Sequence, residues 1–201
     1  YDLPWSFMPP NSQFFTEDVE KYEQNLDKSK EFLAASGVTN PELTLAYNAS
    51  DSLQSTSAIM IQEQLQKAGI KVNLTGVDST ALSQQMKQAD NSYDMYFGGY
   101  IMGIDPDTFS SLFETGASYN YMHYDYPEIN ELFAQGRKET DEAKRKEIYT
   151  TIQQKLQDTA CFYPLYSNKR LLVVSKDVSG IEDAKLVPVY TFEDTSKLQM
   201  K

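Results

Sequence analysis

The strongest constraint on the fold of this chain is a strand–helix–strand pattern in residues 43–74. Apolar side chains alternate with other residues over 43–47, recur at helical spacing over 52–68, and alternate again over 70–74. Gly69 ends the helix, and the joints that flank the helix are short. Two strands joined through a helix pair in parallel with a right-handed crossover. The pattern therefore predicts a βαβ unit and an α/β fold class.

Further helices and strands are predicted along the chain, and no change in composition marks a domain boundary. The predicted helices span 27–37 (capped by Asp27), 78–87, a segment from 127, and 141–158, and the predicted strands span 162–166 and 170–175 with a tight turn at 167–169. The buried stripe predicted for the last helix is Ala143, Ile148, Ile152 and Leu156, with residues 144–147 in solvent. We expect one compact α/β domain over 1–201, with its core at about 22–180 and poorly anchored ends.

A second feature is the stretch 93–109, which begins as an aromatic, strand-like run and contains three glycines, at positions 98, 99 and 103. Glycine lets a backbone approach another molecule closely. Asp105 and Pro106 then form a helix-start signal, because aspartate is a good N-cap and proline suits the first helical position. In open α/β sheets small molecules bind outside the carboxyl ends of strands, so this stretch is the predicted ligand site. Asp105 is expected to cap the helix, to contact a ligand, or both.

Charge and aromatic content narrow the functional classes. The net charge is −11, from 29 acidic and 18 basic residues, and no run of Lys or Arg is present. Nucleic acids and anionic membranes are therefore not expected as partners. The loop 116–126 is rich in tyrosine, which suits a pocket rim or a surface loop whose rings lie on the core. The chain begins at Tyr1 without an initiator Met and shows no signal peptide, so we expect that processing or design has removed what came before, which leaves open whether a targeting segment was lost with it.

The sequence offers little for nucleophilic catalysis. There is no G-x-S-x-G elbow and no phosphate-binding G-x-x-x-x-G-K-[ST] motif, and His123 is the only histidine. The only cysteine, Cys161, lies in an apolar context that is typical of a small buried side chain. We therefore predict a binding protein with no catalytic residues and no cofactor.

Two groups of acidic residues raise the alternatives of a metal site and of a hydrolase. His123, Asp125 and Glu128 lie within six positions, but the two acids also suit helix capping, so no metal is predicted. Pairs of carboxylates for a hydrolase can be drawn from the acids of this region, namely Asp105 with Asp107, or Asp94 with Glu114. The hydrolase remains the less favoured alternative because such pairs are common in an acidic chain.

Five segments in order carry a resemblance to a known family. They are 27–37, 61–72, 103–107 (Gly103-Ile104-Asp105-Pro106-Asp107), 126–132 and 163–166. Together they resemble the second lobe of the extracytoplasmic family 5 solute-binding proteins of the oligopeptide and dipeptide ABC transporters, over most of residues 22–180. The resemblance implies a periplasmic-binding-protein type II lobe with a mixed sheet flanked by helices. It also implies that this chain is one lobe of a longer two-lobe protein and that its ends are the cut crossover segments.

The resemblance further implies a function. Family members bind extended peptides between two lobes, chiefly through backbone hydrogen bonds. The expected partners are a peptide ligand, the first lobe of the same protein and the permease subunits in the membrane. The expected location is extracytoplasmic, either on the cell surface with a lipid anchor or in the periplasm. An oligosaccharide or a nickel complex is the alternative ligand within the same transporter class.

The residues predicted to contact the ligand follow from the glycine-rich stretch and the tyrosine-rich loop. They are Tyr96, Gly98, Gly99, Tyr100, Ile101, Met102, Gly103 and Asp105, with Asn120 and Tyr121 on the rim. Many family members place an aspartate shortly before the Asp-Pro element to pair with the free amino group of the peptide. The matching position here is near Met102 or Gly103, so the resemblance implies that this ion pair is absent or has moved to Asp105 or Asp107.

Overall fold

The computed structural model describes residues 3–88, 90, 92–103, 105–167, 171–187 and 191–200. The chain divides into two compact units. The sheet unit comprises Tyr22–Gly99 and Tyr121–His123, and the helical unit comprises Tyr1–Lys21, Tyr100–Asn120 and Tyr124–Lys201. That both units belong to one lobe of a longer protein stays a prediction.

The sheet unit contains the predicted βαβ arrangement. Its elements are α1 (Leu26–Ser36), β1 (Glu42–Asn48), α2 (Ser52–Ala68), β2 (Lys71–Val77), α3 (Ser79–Met86) and β3 (Met95–Tyr96). The strand order is β2-β1-β3, and both pairings are parallel. Strand β1 pairs with β2 along its whole length, and α2 connects the two strands, as the sequence predicts. The central strand predicted from Tyr93 is shorter than expected, because only two residues of β3 pair with β1.

Strand β1 supplies both faces of the core of this unit. Leu45 packs with Ala58 of α2 and Val72 of β2. The next residue, Ala46, lies in a second cluster with Leu82 and Met86 of α3. Because successive side chains of a strand point to opposite faces, one strand can hold α2 and α3 on the two sides of the sheet. The alternation in the sequence is thus confirmed.

Helix caps in this unit follow the sequence signals with one correction. Asp51 caps α2 by accepting hydrogen bonds from the backbone N–H groups of the first turn, and Gly69 ends it at φ 95°. Helix α1 ends at Gly37, as expected, but it is capped by Asn25. The side chain of Asn25 accepts a hydrogen bond from the N–H of Lys28 at 2.9 Å. The prediction that Asp27 is the cap was wrong, because Asp27 lies within the first turn, where its charge favours the helix dipole.

The helical unit is built mainly from two long helices. Its elements are a 3₁₀ helix (Pro106–Phe109), α4 (Ser110–Phe113), α5 (Pro127–Lys138), α6 (Glu142–Thr159), β4 (Val178–Ser179), α7 (Ile181–Ala184), a second 3₁₀ helix (Thr195–Lys197) and β5 (Gln199–Met200). Phe113, Phe133 and Tyr149 are its largest fully buried side chains. The irregular lead-in joins this core, because the ring of Phe7 lies 4.9 Å from that of Phe109. Phe14 also contacts Tyr149. The core thus includes residues that precede position 22.

The buried face of α6 differs from the predicted stripe. Ile152 and Leu156 are buried as expected, but Ala143 is exposed. The helix instead buries Tyr149, Gln153 and Gln157. The amide of Gln153 accepts a hydrogen bond from the Ser6 hydroxyl at 2.7 Å and donates one to the carbonyl of Phe14 at 2.9 Å. Apolar spacing alone does not reveal these positions, because glutamine is buried only where such partners exist.

The two strands predicted near the carboxyl end are wrong. Residues 162–166 form no strand, nor do 171–175, and two residues of the turn predicted at 167–169, Asn168 and Lys169, lie outside the described residues. The side chains of Leu171 and Val173 are 89% and 94% exposed. A run of apolar residues forms a strand only where a neighbouring strand takes up its hydrogen bonds, and the described residues place none beside these segments. The described pairings of this region include the short antiparallel one between β4 and β5 and an isolated antiparallel bridge between Leu186 and Phe192.

Candidate ligand-binding site

The predicted ligand stretch begins on β3, which is fastened to β1 of the sheet unit. The backbone N–H of Thr44 donates to Oδ2 of Asp94 at 2.7 Å, and the N–H of Asp94 donates back to the carbonyl of Thr44 at 3.1 Å. The N–H of Phe97 donates to the carbonyl of Ala46 at 3.1 Å. These bonds fix the chain immediately before its glycines.

Tyr96 and Tyr121 are brought together by the sheet unit. Both rings are partly buried and pack against the cluster of Ala46, Leu82 and Met86. One ring comes from β3 and the other from the tyrosine-rich loop, so residues 25 positions apart share one apolar surface. A ring that is half buried on a core can still present its other side to a ligand.

The glycine segment, defined here as residues 98–103, follows β3. Gly98, Gly99, Ile101 and Gly103 are exposed, and no described residue comes within 4 Å of a Cβ built on Gly99. Among the described residues, no hydrogen bond is recorded for the backbone of Gly98, Gly99 or residues 101–103. The segment therefore presents accessible backbone donors and acceptors and little side-chain bulk at its first two positions.

Asp105 acts as the predicted helix cap. Its Oδ1 accepts a hydrogen bond from the N–H of Asp107 at 2.8 Å, at the start of the 3₁₀ helix. The same carboxylate accepts from Nη2 of Arg145, at 2.8 Å on Oδ1 and 3.0 Å on Oδ2. The cap prediction is confirmed, and a contact of Asp105 with a ligand stays a prediction.

Arg145 is more enclosed than the sequence suggested. Residues 144–147 were expected in solvent, but the side chain of Arg145 is only 21% exposed. Its Nε donates to the carbonyl of Gly136 at 2.9 Å. Its guanidinium lies over the rings of Phe14 and Tyr149, at 5.2 and 5.3 Å from their centroids. Burial raises the pKa of Tyr149 to about 12, and the nearby charge of Asp107 adds to this.

Arg137 forms salt bridges with Asp107 and Glu114. Its Nη1 donates to Oδ1 of Asp107 at 2.9 Å, and its Nη2 donates to Oε1 of Glu114 at 2.6 Å. Burial raises the pKa of Asp107, whereas the positive charge of Arg137 opposes the shift. Three of the acids considered for a hydrolase, Asp105, Asp107 and Glu114, are thus paired with arginines in the helical unit.

Asn120 organises the tyrosine-rich loop from within. It was predicted on a pocket rim, but it is buried, and its Nδ2 donates to the carbonyls of Glu114 and Tyr124 at 3.1 and 2.8 Å. Its Oδ1 accepts from the N–H of Tyr124 at 3.2 Å. The correction has a simple cause: a loop that turns back on itself leaves backbone groups unpaired, and a short amide side chain can satisfy several of them.

The residues considered for a metal site have separate partners. His123 Nε2 lies 3.0 Å from the carbonyl of Met86, and its backbone is left-handed at φ 50°. Asp125 accepts from the hydroxyl of Thr115, and Glu128 pairs with Lys155. Within the described residues, no group of three or more potential metal ligands is found.

Cys161, the only cysteine of the sequence, carries the remaining candidate nucleophile. Burial raises the pKa of the half-buried Cys161 thiol, which keeps it protonated and weakly nucleophilic. In the part of the chain that the structure describes, no helix has the length and hydrophobicity to cross a membrane.

The sequence of this chain matches a known protein family. The family model described as "Bacterial extracellular solute-binding proteins, family 5 Middle" matches residues 2–121. The chain belongs to this family. The resemblance drawn from the five sequence segments is therefore confirmed.

Solved structures of substrate-binding proteins share this fold. The ABC transporter substrate-binding protein CtaP of Listeria monocytogenes superimposes with a TM-score of 0.89 and 33% identity, over 99% of this chain and 41% of that one. The oligopeptide-binding protein AppA of Bacillus subtilis, in complex with a nonapeptide, gives a TM-score of 0.81 at 22% identity, over 100% of this chain and 42% of that one. The predicted α/β fold of the periplasmic-binding-protein type is confirmed.

The similarity to peptide-binding proteins is also seen when sequences alone are compared. The oligopeptide-binding protein AppA of Bacillus subtilis is 26% identical over 193 residues, which cover 88% of this chain and 35% of the relative. This chain therefore spans less than half the length of the family 5 proteins that it matches.

Proposed function

We propose that this chain is part of the substrate-binding component of an ABC importer and that its glycine segment binds an oligopeptide through the backbone. The observation that carries the proposal is the set of backbone groups of Gly98, Gly99 and residues 101–103, for which the described residues supply no hydrogen-bond partner. An extended peptide offers matching N–H and C=O groups whatever its sequence. Backbone recognition therefore suits an importer that accepts many peptides.

The proposed ligand contacts are those of the sequence prediction, with two changes of role. They are Tyr96, Gly98, Gly99, Tyr100, Ile101, Met102, Gly103 and Tyr121. Asp105 contributes by capping the turn that follows the glycine segment, and Asn120 contributes by shaping the loop that carries Tyr121. Ile101, whose side chain is 75% exposed, offers apolar surface to a ligand side chain.

The proposed partners are the remainder of a two-lobe binding protein and the permease subunits of the importer. The family description as extracellular supports a location outside the cytoplasm, either on the cell surface with a lipid anchor or in the periplasm. Peptide ligands named for relatives, such as the nonapeptide of AppA, support the ligand class.

The test is a thermal-shift titration of the full-length protein against a mixed peptide library. A ligand that binds only the folded state stabilises it by about 2.7 kcal/mol at one hundred times its dissociation constant. A rise in melting temperature with some peptides is the expected result. No rise with peptides, together with a rise from oligosaccharides or a nickel complex, would replace the substrate class.

A matched pair of variants tests the role of the glycine segment. Gly99→Leu adds a side chain where the described residues leave open space and where φ is not left-handed, so the fold is expected to be unchanged. The same side chain would obstruct close approach of a peptide backbone, and peptide affinity is expected to fall at least about tenfold. Ala35→Leu, on the exposed face of α1, is the control that adds similar bulk away from the segment. Equal affinity in both variants would refute this site.

The hydrolase alternative is tested in the same preparation. Incubation with the bound peptides followed by mass spectrometry is expected to recover them intact. Cleavage that disappears in Asp105→Asn would establish an enzyme instead.

A further inference from the structure

We propose that His123 is a positioning residue that holds the ring of Tyr121 on the sheet unit, and that the surface shared by Tyr96 and Tyr121 receives an apolar side chain of the ligand. The role in ligand binding rests on the proposed function and adds to it the class of side chain that is recognised.

Residues 121–123 belong to the sheet unit although they lie far along the chain. They join Tyr22–Gly99 in one compact unit, whereas the residues between these two segments belong to the helical unit. The three residues form no helix and no strand. Their position in the sheet unit therefore depends on individual contacts rather than on a shared ladder of backbone bonds.

The side chain of His123 bonds the end of α3. Its Nε2 lies 3.0 Å from the carbonyl oxygen of Met86. Met86 is the last residue of α3, so the helix itself offers its carbonyl no N–H donor. A carbonyl only accepts, and the imidazole therefore donates from Nε2. One bond thus satisfies the helix end and ties residue 123 to it.

The backbone of His123 also indicates that the folded protein holds this residue in place. Its φ is 50°, in the left-handed region, which is uncommon for a residue that has a Cβ. A strained conformation of this kind persists only where surrounding contacts enforce it. The bond to Met86 is such a contact.

The ring of Tyr121 lies two residues before this bond. It is partly buried and packs against the cluster of Ala46, Leu82 and Met86, as does the ring of Tyr96. Met86 therefore belongs to the cluster beneath Tyr121 and also supplies the carbonyl that His123 bonds. Loss of this bond is expected to let the ring leave the cluster.

Two partly buried rings on one apolar cluster form a surface that suits an apolar side chain. Tyr96 belongs to β3 and lies at the carboxyl end of that strand, where α/β folds bind small molecules. A leucine or phenylalanine side chain of a peptide gains by covering such a surface. A lysine side chain would lose hydration there without gaining a partner for its charge.

The first experiment needs no ligand. Full-length protein is isotope-labelled at its methionine methyl groups, and Met86→Leu identifies the signal of Met86 by its disappearance. An aromatic ring shifts the resonance of a methyl group beside it, so Tyr121→Leu shows where the Met86 signal lies without that ring.

Three variants of His123 separate the bond from the backbone. Glutamine places its amide nitrogen about where Nε2 lies, so His123→Gln can keep the bond. Asparagine is too short to do so, although it tolerates a left-handed backbone as histidine does. His123→Gly removes the ring and also relieves the strain. Gln84→Ala, on the exposed face of α3, is the control.

The Met86 signal is expected to move toward its position in Tyr121→Leu when the bond is lost, in H123G and in H123N. It should stay near its wild-type position in H123Q and in Q84A. Because asparagine suits the left-handed backbone, a shift in H123N would not come from strain. An unmoved signal in H123G, or an equal shift in H123Q, would overturn the positioning role.

The second experiment measures peptide affinity well below the melting temperature of each variant. The probe is an alanine peptide of the length that gives the largest thermal shift, with one alanine at a time replaced by leucine or by lysine. At one position leucine, but not lysine, is expected to raise the affinity of the wild type about fivefold, as for half-burial of its side chain. Tyr121→Ala and H123G should lose this gain, and H123Q should keep it.

The outcomes for the ligand are distinct from those for His123. A leucine gain that persists in Tyr121→Ala, or the absence of any leucine gain, would overturn the recognition of an apolar side chain at this surface. A wild type that binds no peptide would overturn the proposed function and this recognition with it. The methyl signals decide the role of His123 in either case.

Discussion

Replacing Gly136 by alanine tests a close contact between α5 and α6, the two long helices of the helical unit. A Cβ at this position would lie 2.8 Å from Cζ of Tyr149 and 2.9 Å from its Cε2 and hydroxyl oxygen. Carbon atoms in contact normally lie about 3.5–4.0 Å apart. The ring cannot move aside easily, because it is fully buried and packed against Phe14, Phe133 and the guanidinium of Arg145.

The expected change in the free energy of unfolding is the balance of two opposing effects. Overpacking a close-packed core costs about 1–3 kcal/mol. Alanine regains up to about 1 kcal/mol of helix propensity relative to glycine. Because two ring carbons and the hydroxyl oxygen of Tyr149 are all too close, we expect the upper part of the range, and thus a net loss of about 1–2 kcal/mol in the free energy of unfolding for Gly136→Ala.

The assay is urea denaturation of the full-length protein by circular dichroism, with native-state hydrogen exchange of the α6 amides to assign the loss to this unit. A double-mutant cycle sharpens the test. In a Tyr149→Leu background the clash is gone, so Gly136→Ala should become neutral or stabilising. The same loss in both backgrounds, or an unchanged stability in the single variant, would refute the packing argument.

Three further predictions concern stability, and urea denaturation measures each of them. The pKa of Tyr149 is about 12 in the folded state and near 10 in the unfolded chain, so the unfolded chain loses this proton first as the pH rises. The free energy of unfolding should therefore fall by about 2–3 kcal/mol between pH 10 and 12. Tyr149→Phe should lack this component, and identical alkaline profiles would contradict the assignment. Asp51→Ala should cost about 1 kcal/mol by removing the cap of α2, whereas Asp51→Asn should cost much less. Gln153→Ala should cost about 2–4 kcal/mol, because it opens a cavity and leaves the buried Ser6 hydroxyl and Phe14 carbonyl without this partner; a loss below 1 kcal/mol would show that water replaces the amide.

The sheet unit could be predicted closely because its signals are local. The alternation around Leu45 and the capping residues Asp51 and Gly69 each act within a few positions of where they stand. A parallel pair joined through one helix then leaves little choice of topology. The cap of α1 was misplaced because Asn25 and Asp27 are both good caps two residues apart, and the sequence does not say which one lies outside the first turn.

The helical unit was harder to predict because its decisive contacts join distant residues. Gln153 is buried by partners 139 and 147 positions away. Arg145 is enclosed by Asp105, 40 positions earlier, and by the ring of Phe14. Isolated stretches of sequence show these residues only as polar positions of a helix. The strands expected at 162–166 and 170–175 were wrong for a related reason, since strand formation depends on a partner that a local run of apolar residues does not reveal.

The division of the chain between the two units has a consequence for the order of folding. The sheet unit is almost one continuous stretch, so nearly all of its contacts can form once residue 99 has left the ribosome. The helical unit joins the first 21 residues to segments that begin at Tyr100 and Tyr124, and chain closure over such distances is slow. During synthesis, Phe14 is therefore expected to remain without its ring partner Tyr149 until α6 has emerged. Pulse-labelled hydrogen exchange should show protection of β1 and β2 before that of α6, and simultaneous protection would argue against this order.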